Sequence, residues 1–90
     1  MEYREEKLAR AISANSRRKI LRLISKKERT VKEVSKLTGM SMSLASRHLK
    51  MLYDLGFLNV RVKFPHKFYS LRVKELERLL QVYDRVISKL

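Results

Sequence analysis

From Thr30 to Gly56 the apolar positions recur every three or four residues, stop at a glycine, and resume. This is the period of two short helices around a tight turn. Thr30 can accept a hydrogen bond as the first N-cap, and Glu33, three residues on, can reach back to close a capping box. Val31, Val34 and Leu37 share one face of that helix. Gly39 supplies the left-handed backbone of a sharp turn, and Ser41 caps the second helix. In the second helix Ala45, Leu49 and Leu52 face inward, while Ser43, Ser46, Arg47 and Lys50 face outward. The outer face has small hydroxyls and cations and no acid before Asp54. Small side chains allow close approach, and arginine can bond guanine O6 and N7 with two donors. Gly56 stands where a terminal cap glycine belongs, and Phe57 beyond it can touch Leu52. The pattern predicts a helix-turn-helix, although helical hairpins with solvated polar faces are common.

The flanks extend this unit. Arg4–Ser13 is expected to form a first helix with Leu8, Ala9, Ala11 and Ile12 on its apolar side. Asn15 or Ser16 can cap a second helix running to about Ser25 and burying Ile20, Leu21, Leu23 and Ile24. Lys26–Arg29 reads as a charged turn, and Arg29-Thr30 as a very short strand. After Gly56 the period falls to two: Leu58, Val60 and Val62 on one side, Asn59, Arg61 and Lys63 on the other. Phe64 to Lys67 is the expected turn, since proline has no N–H for a paired strand, and Phe68–Leu71 the return strand. Val73–Leu90 is a final helix whose Leu76, Leu79, Leu80, Tyr83, Val86, Ile87 and Leu90 form a long stripe. The whole reads as one domain, mainly α with a small β-hairpin wing and five helices. Segment 1–14 is the N-terminal dimerisation helix, 15–72 the winged-helix core and 73–90 the C-terminal dimerisation helix. The alternative for the final stripe is a helix folded back on its own domain.

Charge changes the picture more than size does. The net charge is +13, with 22 basic and 9 acidic residues. Residues 1–15 balance to zero, 16–30 carry +6, 31–56 carry +2, 57–72 carry +4 with no acid, and 73–90 carry +1. Basic surface gathered in the middle of the chain is the footprint of a polyanion binder. Arg17, Arg18, Lys19 and Arg22 lie near the start of the second helix, where the helix dipole favours an anion; solvated side chains packing their stems are the plainer reading. With no cysteine there is no disulfide, thiolate metal site or cysteine nucleophile. No apolar run exceeds three residues, and M-E-Y-R-E-E-K lacks a signal-peptide core, so a cytoplasmic location is expected. His48 and His66 lie on different elements and form no catalytic constellation, so no enzyme activity is expected. Met40, Met42 and Met51 read as filler rather than a cofactor box, and no cofactor is implied.

Asn15–Ile24 (N-S-R-R-K-I-L-R-L-I) and Met40–Leu58 (M-S-M-S-L-A-S-R-H-L-K-M-L-Y-D-L-G-F-L) carry a resemblance. With the hairpin ending in F-Y-S-L, they resemble the ArsR-like winged-helix transcriptional regulators over about Ser13–Leu71. The resemblance implies a homodimeric repressor joined through its first and last helices. It implies DNA contacts from Ser43, Leu44, Ser46, Arg47 and His48. Leu44 and Met42 stand where the family carries polar residues; an apolar side chain there can meet a thymine methyl. The family's metal sensors carry cysteine and histidine ligands on the helix before the turn or on the terminal helices. This chain has neither type there, so metal sensing is not expected.

The resulting expectation is a sequence-specific, double-stranded-DNA-binding homodimer, with no membrane partner and no effector named by the sequence. Met42, Ser43, Leu44, Ser46, Arg47 and His48 approach bases or backbone. Lys50, Arg17, Arg18, Arg61, Lys63 and Lys67 hold phosphates. Leu8, Ile12 and the final stripe make the dimer. Two other functions remain open: a non-specific architectural DNA coat, and a protein-interaction module using the last helix. Base stacking of single-stranded RNA on Phe68 or Tyr69 is disfavoured, because strand alternation makes one of them core.

Overall fold

The computed structural model describes residues 3–90. The first two residues of the expected 1–14 segment lie outside the described residues. Helices α1 (Tyr3–Ile12), α2 (Asn15–Lys26), α3 (Val31–Thr38) and α4 (Met42–Asp54) are followed by strands β1 (Leu58–Lys63) and β2 (His66–Leu71) and by helix α5 (Glu75–Ser88). This is a mainly α winged helix-turn-helix with five helices and a two-stranded antiparallel wing.

The local signals act as their chemistry requires. Thr30 Oγ1 accepts from the Glu33 N–H at 3.1 Å, and Glu33 Oε1 accepts from the Thr30 N–H at 3.0 Å, completing the capping box. Gly39 has φ 79°, and Ser41 Oγ accepts from the Leu44 N–H at 3.1 Å, so one turn both ends α3 and starts α4. Gly56 has φ 95°; its N–H donates to Tyr53 O, and the Phe57 N–H donates to Leu52 O, both at 3.0 Å. That pair of bonds is a Schellman motif.

One cap differs from expectation. Neither Asn15 nor Ser16 caps α2; the cap position is Ala14, extended and without a side-chain bond. Side chains from the first turn of α2 instead satisfy carbonyls at the end of α1. Arg17 Nε donates to Arg10 O at 2.9 Å, and an Arg18 guanidinium nitrogen donates to Ile12 O at 2.6 Å. The last carbonyls of a helix have no partner of their own, and these arginines supply one.

Ala11, Ile20, Leu21, Ile24, Val34, Ala45, Leu49 and Leu52 form the core with Leu58, Tyr69, Leu71, Leu76 and Leu80. Leu23 is only half-buried, and Leu37 is 54% exposed. Both border a shallow recess between α2 and α3 that no third element among the described residues lines, so periodicity put them on the inner face without a neighbour there to bury them. The antiparallel register runs from Leu58 opposite Leu71 to Lys63 opposite His66. It leaves only Phe64-Pro65 as the connection, shorter than the four-residue turn expected, with β2 beginning at His66. Arg29 extends the sheet by one bridge, exchanging both backbone bonds with Tyr69 at 2.9 and 2.8 Å.

Candidate nucleic-acid interface

Helix α4 presents two faces. Ala45, Leu49 and Leu52 are fully buried, whereas Met42, Ser43, Ser46, Arg47 and Lys50 are exposed. Leu44 and His48 are half-buried at the border. Burial seats the helix, and its cap fixes where it begins, so the polar face is held outward on a packed support. Burial lowers the pKa of His48, and the positive charges of Arg17 and Arg47 lower it further.

The expected phosphate holders fare differently. Lys50 Nζ lies 2.9 Å from Asp54 Oδ2, one turn along α4, and this bond raises the lysine pKa. Arg61 is not free of acid: Glu28, from the segment before α3, accepts from its guanidinium and is held below the usual carboxylate range by that bond. The same guanidinium lies 4.5 Å from the centre of the Phe68 ring. The expectation of a wing with no offsetting acid therefore fails at Arg61, because the acid comes from another element. Arg17 and Arg18 face α1, and Arg18 also lies 5.0 Å from the Tyr83 ring centre. Lys63 and Lys67 are exposed on opposite faces of the wing: the register sets Lys63 beside Arg61 and Phe68, and Lys67 opposite Val62. The Lys67 face turns toward α4 across a groove bordered by Ser46, Lys50, Tyr53 and Val62.

The terminal helices leave an apolar face uncovered. Leu76 and Leu80 belong to the domain's own core, Tyr83, Leu8 and Ile12 are half-buried, and Leu79, Val86, Ile87 and Leu90 are exposed. Leu8, Leu55, Phe57, Leu76, Leu79 and Val82 border an open groove of about 810 Å³ between α1 and α5. Val82 was absent from the predicted stripe, though its spacing from Leu79 and Val86 would have found it. Among the described residues no group of three histidine, cysteine or acidic side chains could hold a metal, and no helix is long and apolar enough to cross a membrane.

The family model for bacterial regulatory proteins of the arsR family matches residues 15–60, just over half of the chain. The chain belongs to the arsR family. Its architecture also matches solved structures of regulators along nearly its whole length. HlyU from Vibrio cholerae superposes with a TM-score of 0.83 at 28% identity, covering 96% of this chain and 97% of that one. A homodimeric winged helix-turn-helix DNA-binding domain from Mycobacterium bovis, a possible ArsR-family regulator, gives 0.83 at 24% identity, covering 96% and 80%. The transcriptional repressor BigR from Xylella fastidiosa gives 0.83 at 20% identity, covering 91% and 84%. The last two likenesses concern the fold alone. No curated protein sequence matches. This arsR-family chain is a winged-helix DNA-binding transcriptional regulator; its family and fold are those of regulators, not enzymes.

Proposed function

We propose that this regulator is a homodimeric, sequence-specific repressor that works without a bound metal. The observation carrying it is α4, whose Ser43, Ser46 and Arg47 are exposed while its opposite face is fully buried. Arg47 reads a guanine edge, Ser43 and Ser46 approach bases, and Met42 and Leu44 meet thymine methyls where their exposure allows. His48, Lys63 and Lys67 contact backbone; Lys50, Arg17, Arg18 and Arg61 do so only after leaving their present partners. Leu79, Val82, Val86, Ile87 and Leu90, with Leu8, Ile12 and Tyr83 beside them, meet their counterparts in a second copy. Segments 1–14 and 73–90 thus frame a DNA-reading core at 15–72. A two-fold dimer sets its α4 helices about 34 Å apart, one turn of the duplex, and reads an inverted repeat. The missing cysteines and the lack of a ligand cluster among the described residues support metal-free action.

Selection of bound duplexes from a random pool at stated salt tests this reading. An inverted repeat is the expected outcome, and Arg47→Ala should cost about 1–3 kcal/mol at one base position of it. Uniform weakening on every duplex would instead indicate an architectural coat.

A further inference from the structure

We propose that Phe64, at the tip of the wing, is a wedge that enters the minor groove and unstacks a base step, bending the duplex. This rests on the DNA-binding reading above and adds to it a residue that touches bases without hydrogen bonding.

Phe64 is 92% exposed, in a chain whose other two phenylalanines are engaged: Phe57 packs against the core, and Phe68 lies under Arg61. An aromatic ring in water at a two-residue turn adds nothing to folding. Its apolar surface becomes favourable only when something covers it.

The hairpin places that ring where a duplex would pass. Val62 and Lys67, one cross-strand pair in from the Lys63–His66 pair at the tip, are on the wing face turned toward Ser46 and Lys50 of α4. The tip therefore projects beyond the groove that separates wing from recognition helix. With α4 in the major groove, the wing reaches the adjacent backbone and minor groove. Val62, two positions before Phe64 and 64% exposed, adds apolar surface to the same arm of the hairpin. Lys63, His66 and Lys67 surround the turn, and 57–72 has no acid, so phosphates are attracted on either side of an apolar point. Glu28 neutralises Arg61 farther down the strand, which concentrates the unpaired charge near the tip. Pro65 fixes one backbone angle of the turn, reducing the ordering cost of insertion. Apolar side chains carried by cationic elements kink duplexes by about 20–90° when they enter a base step.

The test uses the full chain and a duplex it binds, with binding followed separately by anisotropy. The chain has no tryptophan, so Phe64→Trp introduces the only indole. Stacking should quench its emission on binding, and 2-aminopurine at the flanking step should brighten as it unstacks. Phe64→Ala should abolish a bend of at least about 20° seen by circular permutation and weaken binding about tenfold. Phe64→Leu should retain most of the bend. Unchanged circular dichroism and urea midpoint in Phe64→Ala would show that the fold is intact. Bound complexes with unchanged indole emission, silent 2-aminopurine and the same bend in Phe64→Ala overturn the wedge and leave the DNA-binding reading standing. Failure of the unmutated chain to bind any duplex overturns both.

Discussion

Arg18 stands over Tyr83 at 5.0 Å from its ring centre while donating to the Ile12 carbonyl, so one side chain of α2 joins α1 to α5. Both helices whose apolar faces remain uncovered are thus touched by the same arginine, in addition to the Arg17 bond to Arg10 and the Arg22–Asp84 pair. Arg18→Ala removes the cation over the ring and reopens the end of α1. A loss of about 1–2 kcal/mol in urea unfolding is expected. Arg18→Lys should recover little, since ammonium lacks the planar fork that serves both partners. Full stability in Arg18→Lys would refute the dual role.

Gly56 is required by its backbone rather than by crowding. At φ 95° an added Cβ would meet only the Arg72 guanidinium, at 3.7 Å. Gly56→Ala should therefore cost about 1–2 kcal/mol through the left-handed conformation alone. Thermal unfolding measures it. Gly39→Ala, with φ 79° and nothing near, should cost the same, and a much larger loss at either site would point to a hidden clash.

Glu28 restrains the wing's charge. Replacing it in Glu28→Gln frees Arg61, and duplex affinity should rise on all sequences alike. The log–log salt slope should steepen by about 0.9 if one further phosphate is neutralised. The pair is intact at neutral pH, because the lowered folded pKa keeps the carboxylate charged until acid below the usual carboxylate range. The stabilisation it gives is present above the unfolded value and lost as pH falls through the folded one. An unchanged salt slope in Glu28→Gln would place Arg61 away from DNA.

Leu80 is the wrong residue with which to split a dimer. It is 2% exposed within its own subunit, so Leu80→Glu should unfold the domain. Val86 and Ile87, 54% and 52% exposed, are better placed. Val86→Glu and Ile87→Glu should leave the fold unchanged by circular dichroism and weaken self-association by about 2–4 kcal/mol. Sedimentation equilibrium reads this, and unaltered association would remove α5 from the interface.

His48 should give the regulator a pH response. Burial first, then Arg17 and Arg47, lower its pKa, so the free protein holds it neutral where an unfolded chain would protonate it. Stability should fall as pH drops from about 6.5 through the lowered value, since the unfolded chain takes up the proton first. Phosphates beside Arg17 and Arg47 would offset those charges and raise the pKa, so duplex affinity should increase over the same interval. His48→Gln should flatten both profiles in titrations at constant ionic strength. A DNA-binding profile that keeps its shape in that variant would remove His48 from the response.

What the sequence disclosed followed from how far each interaction reaches along the chain. Thr30 with Glu33, Gly39, Ser41 and Gly56 act within a few positions, and each was legible in its neighbours' spacing. The arginine partnerships were not. Glu28 and Arg61 are 33 positions apart, Arg22 and Asp84 62, and only folding brings them together. Charge counting therefore treated bound arginines as available ones. Leu37 and Val62 misled for a related reason: periodicity assigns a side, but a side is buried only if another element covers it.

The Arg29–Tyr69 bridge gives the wing a fixed hinge point. Its root is anchored to the segment that leads into α3, so the hairpin and reading helix approach a target as one body. Paired strands and Pro65 leave few free backbone angles beyond this anchor, so little freedom should be surrendered on contact. A regulator built this way tolerates variation in furrow width at its extremity without relaxing the alignment of α4, and its discrimination should survive changes at the tip that alter only how tightly it holds.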